Sequence, residues 1–262
     1  MEFLMPDFTE PGIWISLLTL SFLEIILGID NIIFISIVAG KLPVAQQRKV
    51  RNMGLLLAMV FRIMLLLGIN WIIGLTDPVV TLPAIKGLSD TIIPLSYKDI
   101  ILIAGGLFLI VKSTLEIHHK LRIDEAPEKK ITQGQKVNIG SVLIQIILID
   151  AVFSFDSILT AIGLVESVVI MIIAVIVSIG VMMLFAGPVS RVVNKHPTLQ
   201  MLALSFLVVI GVVLIAGGFH QEVSKGIIYT SLAFSLTVEL LNIRLRKKGK
   251  SIVLNDSDKK PL

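Results

Sequence analysis

The sequence of 262 residues contains no cysteine, and it has few charged and few aromatic residues. Without cysteine, the protein forms no disulfide, has no thiolate ligand for a metal and has no cysteine nucleophile. Charged residues make up 16% of the chain, whereas soluble domains contain about 25%. Hydrophobic residues reach 55%, with a mean hydropathy of +0.93, and they fall in long runs. This composition indicates an integral membrane protein.

Seven hydrophobic runs are long enough to cross a bilayer, which requires about 20 residues of helix. The predicted spans are 13–39, 52–74, 97–117, 139–164, 168–187, 199–219 and 226–243. They predict an all-α integral membrane protein with seven transmembrane helices, in which residues 1–243 form a single transmembrane domain. A cytoplasmic loop at 118–138 and a basic cytoplasmic tail at 244–262 complete the predicted organisation.

The lysines and arginines lie almost entirely on one side of the predicted membrane. Nineteen of the 23 fall near the same side, three fall on the other side, and Arg62 lies within the second span. Because cytoplasmic segments carry the excess of positive charge, we predict an external N-terminus and a cytoplasmic C-terminus. The basic cytoplasmic side is expected to contact anionic lipid, and no nucleic-acid partner is expected.

Two acid-containing motifs interrupt the hydrophobic runs, FLEIILGIDNIIFIS at 22–36 and LIQIILIDAVFSFDSILT at 143–160. In each motif an acid is followed, after five intervening residues, by an aspartate and then a small polar residue. The six motif residues are Glu24, Asp30, Asn31, Asp150, Asp156 and Ser157. An ionised carboxylate in hydrocarbon costs several kcal/mol, so such residues normally face the protein interior and mark an ion or substrate pathway.

The two motifs lie in spans that are predicted to cross the membrane in opposite directions. One motif in two antiparallel spans is typical of an inverted-topology repeat. We therefore predict a 3+3 repeat of 13–117 and 139–219, to which the seventh helix at 226–243 is added. The segment LIAGG also occurs twice, at 102–106 and 214–218. It supports the repeat less strongly, because glycine-rich runs recur by chance in membrane helices.

Helix geometry places the motif residues on neighbouring faces of their spans. Residues seven apart differ by about 20° around a helix and residues six apart by about 120°, so Glu24 shares a face with Asn31 and Asp30 flanks that face. Because the spans are antiparallel, Glu24 is predicted to lie level with Asp156 towards the outside. Asp30 is predicted to lie level with Asp150 towards the inside, which gives two acidic layers.

The motif side chains offer oxygen ligands, which hard divalent cations such as Mg²⁺, Ca²⁺ and Mn²⁺ prefer. Zinc and copper usually recruit cysteine or histidine, and all four histidines are predicted to lie in loops. These histidines are His118, His119, His196 and His220. Glu24 and Asp30 are about 9 Å apart along a continuous helix, too far to bind one ion together, but Gly28 could permit a local break.

Arg62 is the expected counter-charge for the buried acids. A structural ion-pair network, in which Arg62 holds the helices together, is the alternative to a metal site. One arginine cannot neutralise four carboxylates, which favours the metal site. Glu239 and Asn242 in the seventh span are weaker, accessory candidates, because Glu239 can equally pair with Arg244 at the membrane interface.

The sequence resembles the TerC family of integral membrane proteins. The resemblance lies in EIILGIDNIIFIS, LIDAVFSFDS, VFRIMLLLGI of the second span and FSLTVELLNIRLRK of the seventh, and it covers essentially the whole transmembrane chain. It implies a seven-span fold related to the LysE-type exporters, manganese export in several members and an association with tellurite resistance. It also implies that the six motif residues hold the metal.

The predicted function is secondary transport, in which a divalent cation, with Mn²⁺ as the leading candidate, is exported by alternating access across the cell membrane. The sequence contains no nucleotide-binding motif, so ion or proton gradients are expected to supply the energy. An inside-negative potential opposes cation exit by about 2.3 kcal/mol per charge per 100 mV, which makes proton antiport through the same carboxylates plausible. No tightly bound cofactor is expected, and the ion, the coupling and the oligomeric state stay open.

Two other functions compete with transport. An intramembrane aspartyl protease would use two aspartates that share a proton, but such proteases have a Gly-x-Gly-Asp pattern, and the stretches here are LGIDN and FSFDS. We therefore predict that the protein is not an enzyme. The second is a membrane partner protein that acts in tellurite or metal stress, or delivers metal to secreted enzymes, without transport of its own.

Overall fold

The computed structural model describes residues 6–83, 93–125, 138–165, 167–221 and 223–248. The elements in these segments are α1 (Pro11–Ala39), α2 (Val44–Leu67), α3 (Ile69–Gly74), β1 (Pro78–Leu82), β2 (Ile93–Ser96), α4 (Tyr97–Glu125), α5 (Ile139–Ile162), α6 (Val168–Lys195), α7 (Pro197–Gly218) and α8 (Lys225–Lys248). All of these helices except α3 are long and apolar enough to cross a membrane. The predicted helical membrane architecture with seven spans is therefore confirmed.

Local sequence accounts for where the helices begin. Pro11 occupies the first turn of α1, where its missing N–H would have had no partner within the helix. Asn138 precedes α5, and its side chain accepts a hydrogen bond from the backbone N–H of Gly140, which satisfies one of the free donors of that helix end.

Three helices, α4, α6 and α8, continue beyond their predicted ends. α6 passes through Pro188 and ends at Lys195, because membrane helices tolerate an internal proline when neighbouring groups satisfy the freed carbonyl. α4 runs to Glu125, so His118 and His119 lie in its last turns, and their prediction as loop residues was wrong. The rest of the predicted cytoplasmic loop, up to residue 137, and the tail from residue 249 lie outside the described residues.

The connection between α3 and α4 contains a β-hairpin that the sequence did not predict. β1 and β2 pair in antiparallel fashion, with Val80 opposite Leu95 and a register shift between Pro78 and Val80. Prolines in this stretch argue against a helix, but strand pairing depends on residues that are distant in sequence, so local composition does not reveal it. Residues 84–92, between the strands, lie outside the described part of the chain.

Six long helices, α1, α2 and α4 to α7, pack together in one unit, and α8 belongs to a second unit. Within the first unit the most extensive contact joins α4 to α7, and the next joins α1 to α6. α2 packs against both α5 and α6. α1 therefore lies beside α6 and also touches α5, which brings the first motif towards the second.

The contact between α4 and α7 depends on glycine. A Cβ placed on Gly106 would lie 2.5 Å from the carbonyl oxygen of Gly211, closer than a real side chain allows. A Cβ on Gly106 would also lie 2.7 Å from Ile215, and one on Gly218 would lie 2.6 Å from Ile103. Gly106 and Gly218 end the two LIAGG segments, in which Ile103 and Ile215 hold equivalent places. The two segments thus contact each other reciprocally, as a repeat predicts, while the repeat itself stays a prediction.

Candidate functional site

Both acid motifs lie in uninterrupted helices, the first in α1 and the second in α5. The local break that Gly28 could permit is not present, because α1 is continuous from Pro11 to Ala39. A Cβ on Gly28 would lie 2.3 Å from the Sδ atom of Met182, a buried residue of α6. Gly28 therefore allows the thioether of Met182 to lie directly against the backbone of α1. This close packing explains why a residue without a side chain occupies position 28.

Arg62 of α2 joins the first acids of both motifs. Its Nη1 atom lies 2.5 Å from Oε2 of Glu24. Its Nη2 atom lies 2.6 Å from Oδ1 of Asp150, and its Nε atom lies 3.2 Å from Oδ2 of the same carboxylate. The contact with Asp150 is thus bidentate, the arrangement in which arginine binds a carboxylate most strongly. Arg62, Glu24 and Asp150 are only 3%, 4% and 4% exposed, so this ion-pair cluster is buried.

Each oxygen of the Asp150 carboxylate accepts two hydrogen bonds. Oδ1 accepts from Nη2 of Arg62 and, at 3.0 Å, from Nδ2 of Asn31. Oδ2 accepts from Nε of Arg62 and, at 3.0 Å, from the hydroxyl of Ser154. Because a carboxylate offers about four lone-pair positions, Asp150 has no free acceptor position in this conformation.

The small polar residue of each motif meets the first acid of the other. Asn31 donates to Asp150, and the hydroxyl of Ser157, which donates to the carbonyl oxygen of Ser154 at 3.3 Å, lies close to the carboxylate of Glu24. Glu24 and Asp150 hold equivalent places in the two motifs, as do Asn31 and Ser157, so the pairing is reciprocal. Position 24 meets 157 and position 31 meets 150, which shows that α1 and α5 run antiparallel here.

Arg62 bridges the levels at which the outer and inner acidic layers are predicted. The sequence predicts Glu24 in the outer layer and Asp150 in the inner layer, yet both bind the guanidinium of Arg62. The three nitrogens of a long arginine side chain reach both levels at once. The two first acids therefore form one cluster around Arg62, which was the expected counter-charge of the buried acids.

Asp30 is buried without the partners that Asp150 has. It is 8% exposed, and its side chain forms no hydrogen bond or ion pair with any residue that the structure describes. An ionised carboxylate in such surroundings needs a proton or a cation close by. Asp156 is partly exposed, and its backbone carbonyl accepts a hydrogen bond from the hydroxyl of Thr160.

Asn31 has a buried oxygen that lacks a donor. Its Nδ2 atom donates a hydrogen bond to Asp150. No described residue donates to its Oδ1 atom, and Asn31 is only 3% exposed. An unsatisfied buried acceptor destabilises a protein by about 1–3 kcal/mol. A cation would satisfy it, because amide oxygens are ligands of hard divalent cations.

The structure brings together part of the predicted metal set. Glu24 and Asp150 bind Arg62, and Asn31 and Ser157 lie beside these two acids. No three acidic or histidine side chains of the described segments lie close enough together to hold a metal ion. The metal-binding role of the six motif residues stays a prediction. Glu239 and Asn242 lie in α8, within the second unit.

Sequence reasoning gave Ser154 no role in binding the acids. Its hydroxyl lies one helical turn from Asp150 and donates to it. The sequence contained a signal for this contact, because side chains four residues apart are neighbours on the surface of a helix.

Comparison with known proteins gives consistent matches along the chain. The model of the family described as "Integral membrane protein TerC family" matches residues 9–251. A UPF0053 protein of Haemophilus influenzae is 46% identical over 92% of this chain and 98% of its own length. The UPF0053 inner membrane protein YgdQ of Escherichia coli is 44% identical over 92% of this chain and 97% of its own length. The UPF0053 inner membrane protein YoaE of Escherichia coli is 42% identical over 92% of this chain and 44% of its own length. No solved structure matches the chain.

Proposed function

Because the chain belongs to the TerC family of integral membrane proteins, we propose that it is a secondary transporter that exports a divalent metal cation. The proposed location is the cytoplasmic membrane, since similar proteins are named inner membrane proteins. The proposed orientation places the N-terminus outside and the C-terminus in the cytoplasm, because the basic residues lie on one side.

The buried oxygen of Asn31 is the observation that carries the proposal. A purely structural ion-pair network satisfies its buried polar groups. Here the Oδ1 atom of Asn31 lacks a donor among the described residues, and Asp30, the preceding residue, is buried without a hydrogen bond to them. Both groups offer oxygen to a cation, and both lie in a helix that is apolar enough to cross the membrane.

The charges in this region also favour a divalent cation. Glu24 and Asp150 together outweigh Arg62 by one negative charge, and an ionised Asp30 adds a second. A divalent cation would balance these charges, whereas a monovalent cation would leave one uncompensated in a region of low dielectric. Oxygen ligands suit Mn²⁺ and Mg²⁺, and the motif resemblance favours Mn²⁺.

The test is metal accumulation in cells that lack their own manganese exporter, with and without this protein. Expression should lower the manganese content of the cells and restore growth in excess manganese. The matched control is Asp30→Asn at equal membrane abundance, which should do neither. An unchanged manganese content at normal abundance of the unaltered protein contradicts export and favours the alternative function of a membrane partner protein.

A further inference from the structure

Arg62 is itself the cation that the two first acids hold in this conformation. All three of its guanidinium nitrogens contact carboxylate oxygens, one on Glu24 and two on Asp150. The guanidinium belongs to the chain, so its local concentration at the acids is high and constant. Any cation that enters this cluster therefore meets a site that is already occupied.

An incoming divalent cation needs oxygens that Arg62 uses. Metal ions bind carboxylates through lone pairs, at about 2.0–2.6 Å, and the lone pairs of Asp150 are filled by four donors, two of which come from Arg62. The guanidinium and a metal ion would also repel each other in a buried region, where charges are weakly screened. Asp150 can therefore take up a metal ion only after Arg62 has withdrawn from it.

We propose that Arg62 is a tethered competitor of the exported cation, which occupies the Glu24–Asp150 pair in the empty transporter and leaves Asp150 when the metal binds. This inference rests on the proposed function, because it assumes that the same cluster receives the cation. Asn31 and Ser154 keep their hydrogen bonds to Asp150 during the exchange and hold its carboxylate in place. Arg62 acts through the carboxylates and is thus a positioning residue.

The exchange also explains how the acids are compensated when no metal is bound. Without a counter-charge, the empty site would contain two like charges close together in a region of low dielectric, which strongly disfavours the empty state. Arg62 supplies that counter-charge whenever the metal has left. It also lowers the apparent metal affinity, because only the fraction of molecules in which Arg62 has withdrawn can bind. Weaker binding helps the exported ion to dissociate on the external side of the membrane.

A purely structural arginine predicts the opposite effect on affinity. If Arg62 only held α1, α2 and α5 together, its removal would distort the cluster and weaken metal binding. If Arg62 competes with the metal, its removal frees the lone pairs of Asp150 and strengthens binding. The sign of the change in affinity therefore separates the two roles.

The experiment measures Mn²⁺ binding to the purified full chain by isothermal titration calorimetry, together with the rise in Tm that Mn²⁺ causes. Arg62→Gln should bind Mn²⁺ at least tenfold more tightly than the unaltered protein, and Mn²⁺ should raise its Tm by more. Arg62→Lys keeps the charge but loses the bidentate contact, so its affinity should lie between the two. Arg51→Gln is the matched control, because Arg51 is also a buried arginine of α2 but has no contact with the acids. It should bind as the unaltered protein does.

Equal or weaker binding by Arg62→Gln, while the unaltered protein binds Mn²⁺, overturns the competition and leaves the proposed function standing. If Arg62→Gln does not fold even with Mn²⁺ present, the affinity of Arg62→Lys for Mn²⁺ is compared with that of the unaltered protein. Equal or weaker binding by Arg62→Lys overturns the inference. If neither the unaltered protein nor the Arg62 variants bind Mn²⁺ or Mg²⁺, the proposed function itself fails.

Discussion

Asn31 of α1 donates a hydrogen bond from Nδ2 to Oδ1 of Asp150 in α5, over 3.0 Å and across 119 residues of sequence. The bond joins the small polar residue of one motif to the first acid of the other. Glu24 and Asn31 are seven positions apart in the first motif, as are Asp150 and Ser157 in the second, so this hydrogen bond forms only where α1 and α5 meet.

The amide variants of two aspartates should separate folding from transport. Asp150→Asn removes the bidentate partner of Arg62, and loss of one member of a buried ion pair destabilises a protein by about 3–5 kcal/mol. Asp30→Asn removes no hydrogen bond to a described residue, so its free energy of unfolding should change by less than about 1 kcal/mol. Asp30→Asn should nevertheless abolish manganese efflux. Unfolding in mixed micelles and efflux from loaded cells measure the two effects.

The double variant Asp30→Asn, Asp150→Asn gives the strictest test of the acids. If it reaches the membrane at normal abundance and still exports manganese fully, the acids only support the fold and the ion passes elsewhere. A loss of abundance in Asp30→Asn alone would also contradict the prediction, since it would make Asp30 a structural residue.

The oxygen ligands of the two motifs predict how the protein discriminates between Mn²⁺ and Zn²⁺. Purified protein should bind Mn²⁺, and any preference for Zn²⁺ should be much smaller than that of a thiolate or imidazole site. Binding should be lost in Asp30→Asn and in Asp156→Asn, and it should persist in Asp77→Asn, which alters an exposed acid outside the long helices. Transport of zinc with no response to manganese would refute the argument from ligand chemistry.

Two adjacent glycines of α7 should respond in opposite ways to alanine. A Cβ on Gly218 would lie 2.6 Å from the side chain of Ile103 and 2.9 Å from the carbonyl oxygen of Asp99, whereas one on Gly217 meets no atom within 4 Å. Gly218→Ala should therefore destabilise the protein by about 1–3 kcal/mol through overpacking. Gly217→Ala should be neutral or stabilise by up to about 1 kcal/mol, because alanine favours the helix. Equal unfolding free energies for the two variants would show that α4 and α7 are not closely packed here.

The absence of cysteine from the chain makes its orientation directly measurable. A single cysteine at Asp77 should react with an impermeant thiol reagent added to intact cells, because the connection between α3 and α4 is predicted to be external. A cysteine at Lys195, which is exposed at the end of α6, should react only after the membrane is opened. Labelling of the Lys195 position in intact cells would reverse the proposed orientation.

Much of the fold could be predicted from the sequence because bilayer thickness fixes the length of a hydrophobic run. The seven spans followed from this rule, and their boundaries were wrong mainly where polar ends continue a helix beyond the apolar run. α4 extends through His118 and His119, and α6 extends beyond Pro188. The β-hairpin could not be found in this way, because its pairing depends on contacts between distant residues.

Helix geometry predicted which motif residues share a face, but it did not predict the side-chain contacts of the site. Spacing placed Glu24 and Asn31 on one face, and the number of spans between the motifs predicted antiparallel directions for α1 and α5. It could not show that Arg62 spans both acids, because that depends on the path of a flexible side chain between three helices. The role of Gly28 also depended on a neighbour, the thioether of Met182, that the sequence of α1 does not contain.

The distance along the chain between Arg62 and Asp150 has a consequence for how the protein is made. The two residues are 88 positions apart, and a ribosome adds roughly 5–20 residues per second. Several seconds therefore pass in which α2 has been synthesised and α5 has not. During that interval Glu24 is the one carboxylate of the cluster available to Arg62, and the bidentate contact must wait for the second half of the chain. An incomplete chain that ends before α5 would carry an Arg62 guanidinium whose Nε and Nη2 atoms lack their carboxylate partner, and this feature distinguishes it from the finished protein.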